Sequence, residues 1–221
     1  MAGPTHNPLP HVLVTAGPTE EPIDAVRFIG NRSSGKLGCA IANAFAELGS
    51  ETTLLLGPVG IAPVIDPRVR TKRFRTAQEL SDLMRFEWPA HELLIMAAAV
   101  ADFRPVAQRE GKLKRSDGAM QLELQPVPDL VAGLSDITRS DQRRIAFALE
   151  SREEMLDAAS RKLRAKGVDA IVANPLETME SSGIDATLLW SSGEIAAPGW
   201  LTKQAFSHWL VRQLTQRSVT T

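Results

Sequence analysis

The chain has 221 residues, 43% of them hydrophobic, enough to build a sizeable core in one large domain or two small ones. Its 25 basic residues against 26 acidic ones leave it almost neutral, so nucleic acid is not expected as a main partner. A single cysteine, Cys39, excludes an internal disulfide, four scattered histidines give no metal-ligand spacing, and no apolar run approaches membrane-spanning length.

Residues 1–10 are polar and proline-rich, without the apolar stretch of a signal peptide, and a soluble cytoplasmic protein is expected. Val12-Leu13-Val14-Thr15-Ala16 then reads as a buried strand that runs into Gly17-Pro18-Thr19. After a spacer comes the polar stretch Gly30-Asn31-Arg32-Ser33-Ser34-Gly35-Lys36-Leu37-Gly38, followed by a helix over 36–48. Leu37, Ile41, Ala44, Phe45 and Leu48 share one face of that helix, and Gly49 closes it. Cys39 sits in its apolar run and reads as a packed core thiol rather than a nucleophile.

A second strand is expected over 52–56, a short one over 71–75 and a helix over 77–86. Leu93-Leu94-Ile95-Met96-Ala97-Ala98 is the continuous apolar run of a central strand covered on both faces. The alternation predicts an α/β fold, a Rossmann-like doubly wound, mostly parallel sheet with ligands at the carboxyl ends of its strands. Between Arg104 and Pro128 the period changes, and Lys112-Leu113-Lys114 with Leu122-Glu123-Leu124 around Ser116-Asp117-Gly118 predicts a β-hairpin flap. A strand over 144–149, a helix over 152–166 ended by Gly167, and a strand over 170–173 follow. A second hairpin, 187–190 with 194–196, precedes a last helix over 203–214. The expected organisation is a single Rossmann-like domain over 11–216, with an N-terminal extension over 1–10 and a tail over 217–221.

The loop entering the first helix suits an anion, because a strand-to-helix turn gathers unpaired N–H groups at one point. Gly30, Gly35 and Lys36 match the G-x-x-x-x-G-K spacing, but Leu37 stands where the magnesium-binding hydroxyl belongs and ten residues with Pro22 intervene after the strand. A P-loop hydrolase is therefore disfavoured. The plain alternative is that Ser33, Ser34 and Gly35 cap the helix with a serine oxygen. Asp102, in Ala99-Val100-Ala101-Asp102-Phe103-Arg104-Pro105, could bind a metal or a nucleotide's polar edge, or simply cap a turn. Lys112, Lys114 and Arg115 could fold over a polyphosphate or solvate a strand edge. Phe147 alone reads as a core residue, and Lys162 with Lys166, four apart, as a solvated helix face.

Taken together, Thr15 to Asp24 with Val26-Arg27-Phe28-Ile29-Gly30-Asn31 and Ser33 to Gly38 closely resemble the opening of the phosphopantothenoylcysteine synthetases, the phosphopantothenate–cysteine ligases of coenzyme A biosynthesis. The resemblance continues through Ala97 to Pro105, Lys112 to Arg115, Pro128-Asp129-Leu130-Val131, Phe147 and the Lys162/Lys166 pair, and spans His11 to Leu214. It implies a ligation in which a nucleoside triphosphate with magnesium activates 4′-phosphopantothenate as an acyl-nucleotide, and cysteine then displaces the monophosphate. It implies Asn31 and Lys112 as catalytic, and Gly17, Arg27, Ser33, Ser34 and Gly35 as substrate-binding. Met96, Ala97, Ala98, Asp102, Lys112, Pro128, Asp129, Leu130, Val131, Phe147, Lys162 and Lys166 would bind nucleotide. The flap motif is closer to the CTP-using branch than to the ATP-using one, no flavin is implied, and no metal ligands are assigned.

Pro18 departs from the family's T-A-G-G-T loop, Gly30 from a frequent serine, Ala146 to Ser151 from G-F-A-A-E-T, and Asn174-Pro175 from Asn-Asp. Ten residues before the first strand leave no room for the flavin-dependent decarboxylase fused to many homologues, so the chain is expected to be the synthetase alone, either a natural stand-alone enzyme or an excised domain, with a separate decarboxylase as a candidate partner. A nicotinamide-dependent oxidoreductase lacks support, since no G-x-G-x-x-G follows the first strand and the chain has no tyrosine. A non-catalytic nucleotide-binding homologue is opposed by Asn31, Asp102 and Lys112. A homodimer is expected, through unpaired hairpin edges and the apolar Leu188, Leu189 and Trp190.

Overall fold

A computed structural model describes residues 9–61, 63–114, 118–178 and 181–216. Its centre is an eight-stranded sheet. Val12–Ala16 (β1) is buried at all five positions and pairs in parallel with Thr52–Leu56 (β4) on one side and Leu93–Met96 (β6) on the other. A strand buried on both faces cannot alternate polar and apolar residues, which is why these segments read as continuous apolar runs. Beyond β4 lies Arg70–Arg73 (β5), and beyond β6 lie Arg143–Glu150 (β9) and Ala170–Pro175 (β10), all parallel. Thr187–Trp190 (β12) and Ile195–Ala196 (β13) complete the sheet as antiparallel strands.

The chain leaves β1 toward one edge and β6 toward the other, so the strand order reverses between β1 and β6. An open α/β sheet places its crevice at such a reversal. Lys36–Leu48 (α1) and Lys203–Gln216 (α4) cover one face, where Phe45, Ile41, Phe206 and Leu210 are buried on Val12, Val14 and Ile95. Ala77–Glu87 (α2) and Met155–Lys166 (α3) cover the other, with Leu80, Met84, Trp88 and Leu163 on Leu13 and Leu94. Removing each such side chain from water contributes roughly 1.5–3 kcal/mol. Cys39 is buried, and desolvation pushes its thiol up to about 11, as a core thiol requires.

Several expectations change, among them the helix expected from 152, which begins at Met155. The run through Ala97 and Ala98 leaves the sheet after Met96, and the expected 71–75 strand lies at Arg70–Arg73. The flap hairpin pairs Phe103–Pro105 (β7) with Leu124–Pro126 (β8), not 112–114 with 122–124. Residues 112–114 are irregular and bond to another loop, while Arg115, Ser116 and Asp117 lie outside the described residues. Leu188, Leu189 and Trp190 are buried in their own sheet, so the apolar motive for dimerisation through that hairpin is gone.

Three short pairs carried no usable period. Glu21–Pro22 (β2) pairs with Phe28–Ile29 (β3), and Gly183–Ile184 (β11) pairs with Leu201–Thr202 (β14). Together with β7 and β8 they form small two-stranded sheets outside the main one.

Candidate active site

Gly38 sets the geometry of the site. A Cβ there would lie 2.6 Å from Ala16 Cβ and 3.0 Å from the Thr15 carbonyl, so only glycine lets the first turn of α1 close on the end of β1. Gly35 occupies the cap position at φ 68°, a left-handed conformation, and no side chain caps the helix. The expected serine cap is therefore absent: Ser33 Oγ instead accepts from the Gly35 N–H at 3.3 Å. The first turn of α1, uncapped by any side chain, lines the space beyond the strand ends with Lys36, Leu37 and Gly38. The G-x-x-x-x-G-K spacing does not form a P-loop, because the β2–β3 hairpin separates β1 from α1.

The loops after β1 and β6 are laced together across the reversal point. The Ala99 N–H donates to the Gly17 carbonyl at 2.9 Å, and the Thr19 N–H to the Ala99 carbonyl at 3.2 Å. Thr15 Oγ1 accepts from the Ala98 N–H at 3.1 Å, Thr19 Oγ1 from the Ala101 N–H at 3.0 Å, and Asn31 Nδ2 donates to the Val100 carbonyl at 2.8 Å. These bonds make a fixed shelf at the carboxyl end of the sheet.

Above that shelf opens a cavity of about 780 Å³, of the size that holds a cofactor-scale ligand. Asn31, Ser33, Ser34, Gly35, Met96, Ala97, Ala98, Asp102, Pro128, Asp129, Leu130, Val131, Phe147, Lys162 and Lys166 all line it. Gly17, Arg27 and Lys112 do not. Gly17, at φ 82°, is part of the shelf through its carbonyl, Arg27 is bonded to Asp24, and Lys112 is exposed on the arm of the flap. Phe147 packs against the core and also lines the cavity, so its two readings coexist.

Charge decides what the cavity suits. Arg32, Lys36, Lys162, Lys166 and Lys203 line it against the carboxylates of Asp102 and Asp129. Lys162 lies 2.5 Å from Glu150 Oε1, and Lys166 pairs with Asp129. Burial alone would raise the Asp129 carboxyl, but Lys166 and the Ala132 and Val131 N–H groups hold it below the usual carboxylate range. Asp102 is exposed at the rim. Among the described residues, no group of three or more His, Cys, Asp or Glu side chains converges as a metal site.

Arg32, Lys36, Asn174, Thr178 and Lys203 join the cavity without having been assigned a role from sequence. Lys36 and Asn174 lay in motifs singled out there. Lys203 begins α4, far along the chain from α1, and no local pattern marks it. No helix among the described residues is long and apolar enough to cross a membrane.

The family profile described as DNA/pantothenate metabolism flavoprotein C-terminal domain matches residues 9–217. The chain is 40% identical over 195 residues to the coenzyme A biosynthesis bifunctional protein CoaBC of Vibrio vulnificus (strain CMCP6), covering 85% of this chain and 47% of that protein. It is 38% identical over 201 residues to a cysteine/cysteine sulfinic acid decarboxylase of an unknown prokaryotic organism, covering 84% and 55%. The chain thus spans about half the length of these curated relatives. The crystal structure of the C-terminal domain of a CoaBC protein superposes with a TM-score of 0.80 at 31% identity, over 94% of this chain and 95% of that one.

Proposed function

The chain belongs to the DNA/pantothenate metabolism flavoprotein C-terminal domain family, whose matched relatives include coenzyme A biosynthesis proteins, and we propose that it joins 4′-phosphopantothenate to cysteine. The observation that supports this reading most is the cavity at the carboxyl ends of β1, β6 and β9. It carries lysines of α3 on one wall and the uncapped start of α1 on the other. Two anionic substrates that must meet head to tail need cations and N–H donors on opposite sides of one crevice.

In the proposed first step a carboxylate oxygen of phosphopantothenate attacks the α-phosphorus of CTP, and pyrophosphate leaves. In the second, the cysteine amine attacks the acyl carbon, the bond from that carbon to the phosphate oxygen breaks, CMP leaves with that oxygen, the nitrogen gives up a proton to solvent, and an amide remains. Lys162, Lys166 and the Pro128 to Val131 segment hold the nucleotide, with Met96, Ala97, Ala98, Asp102 and Phe147 around it. Lys112 on the flap neutralises triphosphate charge, and Asn31 with the Ser33–Gly35 loop orients the acyl group. The flap excludes water from an acyl-nucleotide that would otherwise hydrolyse. Magnesium bound with the triphosphate would neutralise charge on its phosphates, and Asp102 would be the carboxylate left to hold it, since Glu150 and Asp129 are paired with lysines.

The same reading places the enzyme in the cytoplasm as a homodimer. Phe28, Phe103 and Leu124 are exposed on the two small hairpin sheets and offer the apolar face that Leu188 to Trp190 do not. A flavin-dependent decarboxylase would act on the product, whether fused or separate. The direct test incubates the protein with 4′-phosphopantothenate, cysteine, magnesium and either CTP or ATP, and follows the amide product and pyrophosphate by mass spectrometry. Product with CTP in excess over ATP is expected; no product with either nucleotide overturns the reading.

A further inference from the structure

We propose that Asp24, which does not line the cavity, is the positioning residue of the flap: with Arg27 it latches the backbone of Leu113 and thereby fixes where the neighbouring Lys112 is held. The role of Lys112 rests on the ligase reading above; the latch itself is read from geometry.

The Asp24 side chain is fully buried, at 0% exposure. A buried carboxylate is costly unless its oxygens are satisfied, and here both are. Oδ1 accepts from the Val26 N–H at 2.8 Å and the Arg27 N–H at 2.7 Å, which is all that a local turn needs. Oδ2 does something else. It accepts from the Leu113 N–H at 3.1 Å, 89 residues along the chain, and from Arg27 Nη1 at 2.6 Å.

The other end of the Arg27 guanidinium donates from Nη2 to the Leu113 carbonyl at 3.2 Å. Both backbone groups of one flap residue are thus captured by one ion pair. Two further bonds run alongside: the Arg109 N–H donates to the Ile23 carbonyl at 2.9 Å, and the Ala25 N–H to the Gly111 carbonyl at 3.0 Å. Leu113 is half-buried at this seam while Lys112 and Lys114 on either side are exposed. A turn-forming aspartate would have no reason to engage its second oxygen with a distant backbone N–H. An anchor for the arm requires that contact.

The test uses two variants of the whole chain. Asp24→Asn puts a donor where Oδ2 or Oδ1 must accept, and Leu113→Pro deletes the flap N–H, leaving Asp24 in place. Each is followed by thermal unfolding, by the rate of trypsin cleavage after Lys114, and by pyrophosphate release and cysteine KM in the ligase assay. Both variants are expected to be cleaved about tenfold faster or more, the scale of losing one hydrogen bond to a charged group. Pyrophosphate release should fall by a similar factor while the KM for cysteine stays put. Unchanged cleavage in the folded variants overturns the latch, and faster cleavage with unchanged pyrophosphate release overturns its positioning role. If Asp24→Asn does not fold, Leu113→Pro decides by the same readouts. If the wild-type protein makes no product, the ligase reading fails while the cleavage rates still decide the latch.

Discussion

Lys162 on α3 and Glu150 at the end of β9 stand 2.5 Å apart, and one turn further along α3, Lys166 is paired with Asp129. Each of these two lysines therefore has a carboxylate beside it before any anion arrives. Such a pair orients a long, flexible side chain, and its charge must be shared with an incoming phosphate.

Replacing Lys166 by Met tests that arrangement. Burial, the largest influence on Asp129, is then opposed only by the Ala132 and Val131 N–H groups, so the Asp129 carboxyl should move upward in an NMR pH titration. The sign for stability follows. In the wild type the depressed value stabilises the fold above the carboxyl's unfolded value, and that contribution fades as pH falls through the folded one. In the variant it should shrink, since the Ala132 and Val131 N–H groups remain, and the KM for nucleotide should rise about tenfold, the scale of removing one charge-assisted hydrogen bond to phosphate.

Lys112→Gln should leave the melting temperature unchanged, since the side chain is exposed. Pyrophosphate release should drop by about 100-fold, the usual scale for losing one group aimed at developing charge. An unaltered rate would return the flap lysines to the role of a solvated edge.

For Asn31→Asp the structure adds a reason to the chemistry. Its Nδ2 donates to the Val100 carbonyl at 2.8 Å, and an aspartate would set two acceptors against each other across the shelf. Overall ligation should fall by about tenfold or more, or acyl-nucleotide should accumulate and be trapped on quenching. Normal product formation without intermediate would remove Asn31 from the mechanism.

His91 gives a pH dependence that is separate from catalysis. Its buried ring meets the Glu87 carbonyl at 2.7 Å through Nδ1 and Thr53 Oγ1 at 2.9 Å through Nε2. Burial, the largest influence, lowers its affinity for a proton, and Arg70 and His11 add to this against the opposing pull of Glu87. The unfolded chain then binds the proton more tightly than the native one. Stability should fall as pH drops below the ordinary histidine value of 6.5, and urea unfolding of a His91→Gln variant should lose that slope.

Sedimentation should report a dimer, with Phe28→Glu shifting it toward monomer and lowering specific activity at low concentration. A wild-type monomer that stays fully active on dilution would overturn the assembly.

The helix bounds of α1 and the strands β1 and β4 were legible because a 3.6-residue stripe and fully buried five-residue runs each admit one reading. The small sheets were not. β2, β3, β11 and β14 have two residues each, too few to display a period, and Phe103-Arg104-Pro105 ends in a proline that argues against a strand. Leu188 to Trp190 misled for another reason: a continuous apolar run does not say whether its own sheet or a second copy covers it. Most of the expected site residues meet in one cavity because they sit at strand ends, where this fold gathers its loops. Lys203 was invisible, since only the packing of α4 beside α1 brings it there.

A chain proposed to consume free cysteine must live beside its substrate's thiol. Its own thiol, Cys39, is sealed at 1% exposure and held protonated, pushed up to about 11. Mixed disulfides between the folded enzyme and its substrate are thereby closed off, and the native protein adds no background when cysteine uptake is followed with a thiol-reactive dye. A burst of dye labelling during heating would then report unfolding of α1 itself.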